Sequence, residues 1–499
     1  MTDRLAAAGV LLAGLLATLA TVGFVVAAPA GAATTSSAAK SSSADLYIAG
    51  AGNGHGVGMS QFGAAGYAEH GSTYREILRD YYAQTTLGTV DPGRIVTVQL
   101  RANGAAAFTG ATKITGSTLK LDATRNYTVV PVHGKLLIRS GGHKFGVYPA
   151  PLQVSGPGPV RLYGLGLYRG ALVFRPAVHG GGVAIVNALG VDDYVRGVIS
   201  AEMPSDWPAQ ALEAQAVAAR TYAITDGAVN PDFGLYDNTR SQMYKGVAAE
   251  TPATDAAVAA TAGQVVEYDG NPVVTYFFAS SGGRTESVQN VFSGIAAEPW
   301  LVGRPDPYDD SFNNPYFHWN RAYSVSAAAA KLKAFVHGTF EGIKVVQHGV
   351  SPRVVSAQVV GSQGDATVSG TQLQTAFGTP STWMRFTTLS VEGVRSAGPS
   401  RAPTGPSTAP AAPSNGGAGL GASARGHRHV VPAYTVAGTV FPAAVGAAVS
   451  VQAETAGGWA GAGSSHVAAS GAYSVSVRGP GTYRVLYNSI VGPTVVLRR

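Results

Sequence analysis

The chain has 499 residues, of which 45% are hydrophobic and 13% charged, with 65 glycines, no cysteine and a formal net charge of +7. That length allows two or three domains and at least one sizeable core, and the lack of cysteine excludes disulfides, thiolate metal sites and thiol catalysis. The positive charge is thinly spread, without the dense Lys/Arg tract of a nucleic-acid footprint, so it suits a polyanionic surrounding rather than nucleic acid.

In chain order, Arg4 precedes an apolar run from Leu5 to about Ala28, and Ala30-Gly31-Ala32 follows. A basic start, an apolar stretch and a small-x-small site predict a secretory signal over residues 1–33. The run is also long enough for a membrane anchor, although Gly14, Thr18, Thr21 and Gly23 weaken that alternative. Residues 34–45 are rich in Ser, Ala and Thr and read as a disordered leader. Short strands separated by Gly and Asn turns are expected from 95 to 178, at 96–100, 118–121, 136–138 and 171–174, continuing at 183–186.

A helix should start after Pro204, capped by Ser205 or Asp206, with Pro208 in its first turn. Ala211, Gln215, Ala219 and Tyr222 recur at helical spacing along it, and its small alanines admit close neighbours. Strands are expected at 264–268 and 273–278, a helix at 326–335, and a hairpin at 343–347 and 354–360 that returns to the sheet. Residues 396–430, rich in Ala, Pro, Gly and Ser, read as a disordered linker. Residues 431–499 alternate like a small β-sandwich. The expected fold is α+β: a β-rich domain over 46–395 with a helix following Pro204, plus an all-β C-terminal sandwich.

Three segments stand out. They are Val186-Asn-Ala-Leu-Gly-Val-Asp-Asp-Tyr194 running on through Val198-Ile-Ser-Ala-Glu-Met-Pro204 and Gln215-Ala-Val-Ala-Ala-Arg-Thr-Tyr222; Tyr276-Phe-Phe-Ala-Ser-Ser-Gly-Gly-Arg-Thr-Glu286; and Gly54-His-Gly-Val-Gly-Met-Ser-Gln-Phe-Gly63. Together they resemble the stage II sporulation protein D family, also called SpoIID/LytB. Weaker agreement covers most of 46–392, including Tyr168-Arg-Gly170, Pro299-Trp-Leu301 and Phe377-Gly-Thr-Pro-Ser-Thr382. In the family the Gly-His-Gly-Val-Gly-Met-Ser-Gln segment usually closes the domain, whereas here it precedes the rest. The resemblance therefore implies a circular permutation, which requires 46–90 to pack beside the element near 384–389.

The resemblance implies a secreted, wall-associated protein acting on peptidoglycan glycan strands, with a preference for strands stripped of peptides. It makes Glu202 the acid/base of a lytic transglycosylase. A carboxyl held among apolar neighbours such as Ile199 and Met203 keeps its proton near neutral pH, as that chemistry needs. From spacing alone, Glu202 reads equally as a capping or dipole-complementing residue.

Ser280, Ser281, Gly282, Gly283 and Thr285 follow an apolar strand and are expected to hold sugar groups, with an ordinary polar turn as the alternative. Gln242 and Tyr244 are expected sugar contacts or packing residues. The resemblance places His55 in the same groove as Glu202, and His55, with Ser60 and Gln61 downstream, is expected to contact the substrate. Some family members bind zinc in the loop around 237–244 through Cys and His, but Arg240 and Ser241 stand here, so no metal and no cofactor are expected. Asp306, Asp309 and Asp310 read as a solvated acidic loop, and Arg220 as a structural partner of a buried carboxylate. The alternatives to an enzyme are a non-catalytic enhancer of a cell-wall amidase and a glycan-binding wall protein.

Overall fold

The computed structural model describes residues 42–226, 232–396 and 433–498. The expected signal, most of the leader and nearly all of the linker lie outside these residues. The β-rich α+β class is borne out. Two antiparallel-dominated six-stranded sheets, built from residues between Ile95 and Tyr236, enclose the largest core with the helix Ala209–Thr225. That helix is buried along most of its length, and its Ala214, Val217 and Ala218 pack into a second core with Val57, Met59 and Ile77. Because these positions are alanine or valine, the helices Gln61–Glu69 and Tyr74–Tyr81 approach it closely.

Several expectations are corrected in detail. Residues 42–45 are not leader but the start of the strand Ser42–Gly50. The long helix begins at Ala209 with Pro208 at its cap position and no side-chain cap, so neither Ser205 nor Asp206 serves there. Residues 118–121 form no strand; Gly116 turns the chain and only Lys120 bridges to Lys113. The apolar run 273–278 is extended as strand only at Phe277–Phe278. Upstream, its carbonyls serve Met59 N, the Tyr82 hydroxyl and the Trp300 indole instead of a ladder. The hairpin Phe340–His348 and Val354–Gly361 forms, but as a separate sheet with Ala366–Ser369. The glycine-rich strand Gly458–His466 carries no apolar alternation and was not expected.

The strand Ser42–Gly50 lies between Trp319–Ser324 and Met384–Ser396, antiparallel to both. Gly50 stands opposite Met384 and Asp45 opposite Leu389, which is the proximity a permuted order requires. Gly50 also admits Trp319: a Cβ there would sit 2.2 Å from the indole and 2.5 Å from the Trp383 carbonyl. Gly50→Ala is therefore expected to destabilise the protein by about 1–3 kcal/mol through overpacking, read as a lowered thermal midpoint. An unchanged midpoint would mean the three strands do not pack this tightly.

The C-terminal strands do not form a free-standing sandwich. Ala433–Phe441 pairs directly with Met384–Ser396, and Ala472–Val477 extends the same sheet. The facing four-stranded sheet closes a core that includes Leu389 and Val391 from the preceding domain.

Candidate active site

Glu202 ends a one-turn helix, Ile199–Glu202. Pro204 disfavours helical backbone at the residue before it, and Met203 is accordingly extended and buried. The turn therefore stops at Glu202, whose carboxyl is left part-buried. Burial pushes its pKa up, and a hydrogen bond from the Met243 amide to Oε1, at 2.6 Å, opposes this. Among the described residues Met243 is its one hydrogen-bond partner.

The loop that presents this amide is braced by its neighbours. Gln242 accepts from the Tyr194 hydroxyl at 2.8 Å, and the Tyr244 hydroxyl donates to Asn187 Oδ1 at 2.6 Å. Tyr194 and Tyr244 stack with ring centroids 5.2 Å apart. Gln242 and Tyr244 are buried, so the expectation that they touch sugar is corrected: they position Met243 beneath Glu202. Arg220 pairs with Asp192, as expected of a structural residue.

In the segment from 54 to 63, Gly56 and Gly58 have φ of 90° and 77°. A Cβ at Gly56 would lie 2.4 Å from Arg353 Nε, and one at Gly58 2.1 Å from the Tyr276 carbonyl. Glycine is thus required at both, and the chain wraps against residues 276–286. His55 sits in a box of Tyr276, Phe278 and Phe292, with centroids 5.3–6.0 Å away. Its Nδ1 accepts from the Val57 amide, and burial with the nearby Arg353 charge lowers its pKa to about 4. The ring is therefore neutral near pH 7. Among the described residues no direct contact joins His55 to Glu202. Tyr276 and Tyr222, 6.1 Å apart, stand next along from His55.

The serines of both motifs converge on a carboxylate that reads in sequence as solvated. Asp309 is fully buried. It accepts from Ser60 Oγ at 2.6 Å, Ser280 Oγ at 2.7 Å, Gly282 N at 2.8 Å, Ser281 N at 2.9 Å and Asn314 Nδ2 at 3.3 Å. Asp306, also buried, accepts from the Tyr81 hydroxyl at 2.8 Å. Only Asp310 of the acidic cluster is exposed.

Ser60, Gln61, Ser280, Ser281, Gly282 and Thr285 are buried, which corrects their assignment to the sugar. Their polar groups already have partners inside: Thr285 accepts from the Arg304 amide, and Gln61 meets Gln215. Gly283 alone of this set is part-exposed. Two further buried charged residues, Glu286 and Arg353, each find separate partners. Glu286 accepts from Ser351, Val350 and Asn290, while Arg353 donates to the Gly54 carbonyl. Glu286 closes a motif segment and so was visible, but Arg353 carries no sequence signal. Among the described residues no three His, Cys, Asp or Glu side chains converge in a way that could hold a metal ion.

Burial and the Asp309 charge raise the Asp306 pKa from 3.8 to about 8. The native state thus keeps a proton that the unfolded chain releases near pH 4, so stability falls as pH rises between these values. Asp306→Asn should flatten that fall, measured as thermal midpoint from pH 5 to 9. Parallel slopes for the two proteins would show that Asp306 is not the proton carrier.

Residues 179–268 match the SpoIID family, described as stage II sporulation protein. An uncharacterised protein of Brachyspira hyodysenteriae is 35% identical over 223 residues, 44% of this chain and 58% of that one. The amidase enhancer of Bacillus subtilis is 40% identical over 116 residues, 23% of this chain and 15% of that one. Stage II sporulation protein D of the same organism is 29% identical over 194 residues, 35% of this chain and 55% of that one. The chain therefore spans little more than half of these relatives at most, and no solved structure matches it. The family match begins just before the strand leading to Glu202 and ends with the strand Gln264–Tyr268, so it encloses Glu202, Met243 and the long helix. These matches, and its three motif segments, make the chain similar to the SpoIID/LytB family over the part that holds Glu202.

Proposed function

We propose that this is an exported cell-wall protein that cleaves the bond between N-acetylmuramic acid and N-acetylglucosamine in peptidoglycan strands without water. The observation that carries the reading is Glu202: a part-exposed carboxyl with raised pKa and a single backbone hydrogen bond, at the break between two helices. The relatives named amidase enhancer and stage II sporulation protein D support a role at the wall.

In the proposed step, Glu202 gives its proton to the glycosidic oxygen as the bond from that oxygen to muramic C1 breaks. The muramic 6-hydroxyl oxygen then bonds to C1, and its proton passes to Glu202. One carboxyl serves as acid and then base, so no second carboxylate is required. The strand would run past Tyr222 and Tyr276 toward His55, whose neutral ring can contact a sugar without adding charge.

Mass spectrometry of products from purified glycan strands tests this. Anhydro ends, one water lighter than reducing ends, are expected; reducing ends alone would indicate a hydrolytic muramidase. The name of the amidase enhancer relative favours a second reading, stimulation of a wall amidase without cleavage. Intact strands together with faster amidase turnover would establish that reading instead.

A further inference from the structure

Four aromatic rings gather where the loop after Asp309, carrying Phe312 and Tyr316, meets Phe62 of the helix Gln61–Glu69 and Trp207 ahead of the long helix. Trp207 and Phe312 stack at 5.6 Å, Phe62 meets Trp207 edge-on at 4.9 Å, and Tyr316 lies 6.4 Å from Phe62. Phe312 and Tyr316 are 38% and 36% exposed, the others part-buried. Packing of a core does not explain this: Phe312 and Asn313 both adopt left-handed backbone, with φ of 57° and 50°. A bulky residue there is strained, and strain of this kind collects at binding and active sites. The strain is held from below. Asn314 donates to the Asp309 carbonyl at 2.5 Å and to Ser280 Oγ at 2.9 Å, and its Oδ1 accepts from the Tyr316 amide.

We infer that Phe62, Trp207, Phe312 and Tyr316 form a sugar-stacking platform that binds an N-acetylhexosamine strand beside the Glu202 site. This rests on the reading of Glu202 as the reacting group. Trp207 follows Glu202 by five residues, so the two lie within about 17 Å along the chain, the reach of a short oligosaccharide. Aromatic faces suit the apolar C–H face of a pyranose. The exposed polar residues Asp310 and Asn313 beside them supply groups for its hydroxyls. An uncharged, hydroxyl-rich ligand fits this mixture of flat rings and small polar groups, as in other ligand sites.

The test uses the full chain carrying Glu202→Gln, so that binding is measured without turnover. Tetra-N-acetylchitotetraose is titrated calorimetrically into this protein and into versions that also carry Phe312→Gly or Trp207→Ala. Each added change is expected to weaken binding about tenfold. Glycine is at ease in left-handed backbone, so Phe312→Gly should keep or raise the thermal midpoint, which separates lost binding from lost folding even if the Trp207 variant folds poorly. Affinity within twofold of the parent for Phe312→Gly overturns the platform. So does unchanged glycan affinity with weakened binding of a wall amidase, which would make the patch a protein-docking face. If Glu202→Gln still cleaves strands, the catalytic reading fails on its own, because the chitotetraose affinities are a separate readout.

Discussion

Glu202→Gln should lower turnover of peptidoglycan strands by about 10²–10⁴-fold, the usual contribution of a positioned acid/base, while the protein stays folded. The amide oxygen can still accept from Met243 N, and the side chain keeps its volume, so only the transferable proton is removed. The wild-type carboxyl is raised by burial, so the native state favours its neutral form. Folding therefore pays a cost once pH rises above the ordinary carboxylate range, and a neutral amide avoids it. The glutamine variant should match or exceed wild-type stability near pH 7. Wild-type activity should fall as pH rises past the raised value, where the acid form is lost. Full activity in the variant would remove Glu202 from the chemistry and favour the amidase-stimulating alternative.

Asp309→Ala is expected to be the most damaging single change to the fold. It strips the acceptor from Ser60, Ser280, Asn314 and two backbone amides, all buried. Leaving such donors unpaired costs about 1–3 kcal/mol each before relaxation, and breaking a buried charged network costs about 3–5 kcal/mol. In a protein of this size that lowers the thermal midpoint by about 10 °C. The loss should be visible by calorimetry, with lower soluble yield. A midpoint within two or three degrees of wild type would show that water or a shifted loop satisfies the donors, and that the network does not organise the motifs. Asp309→Asn should fall between, since it keeps one acceptor oxygen.

The elements most legible in the sequence were those whose side chains repeat with a clear period. The alanine-rich helix over 209–225, the strand 264–268 and the hairpin 340–361 all sit where periodicity put them. Regions whose backbone bonds go elsewhere misled. The run 273–278 has strand composition, yet its Tyr276 carbonyl is taken by Met59 of the glycine-rich segment and by Tyr82, and its Val274 carbonyl by Trp300. The site was legible at the level of segments but not of roles. Ser60, Ser280 and Gly282 do come together with His55's segment, as the family resemblance implied, but around Asp309 rather than around a ligand. Nothing near Asp309 signals burial, because an acidic residue in a Tyr-Asp-Asp-Ser loop is ordinarily solvated. The hydroxyls of Ser60 and Ser280, the amides of Ser281 and Gly282, and Asn314 offset the cost of burying it. The shared C-terminal sheet was equally hidden, because strand alternation reveals a face to be covered and not the partner that covers it.

The strand Ser42–Gly50 gains its ladder partners only from Trp319–Ser324 and Met384–Ser396. During synthesis it emerges before most of the chain and must wait for both flanks to appear. Pairing across so large a sequence gap carries a heavy loop-closure entropy, and such non-local contacts slow folding. This sheet is thus a late event in folding, and the earliest-made described segment is among the last to find its place.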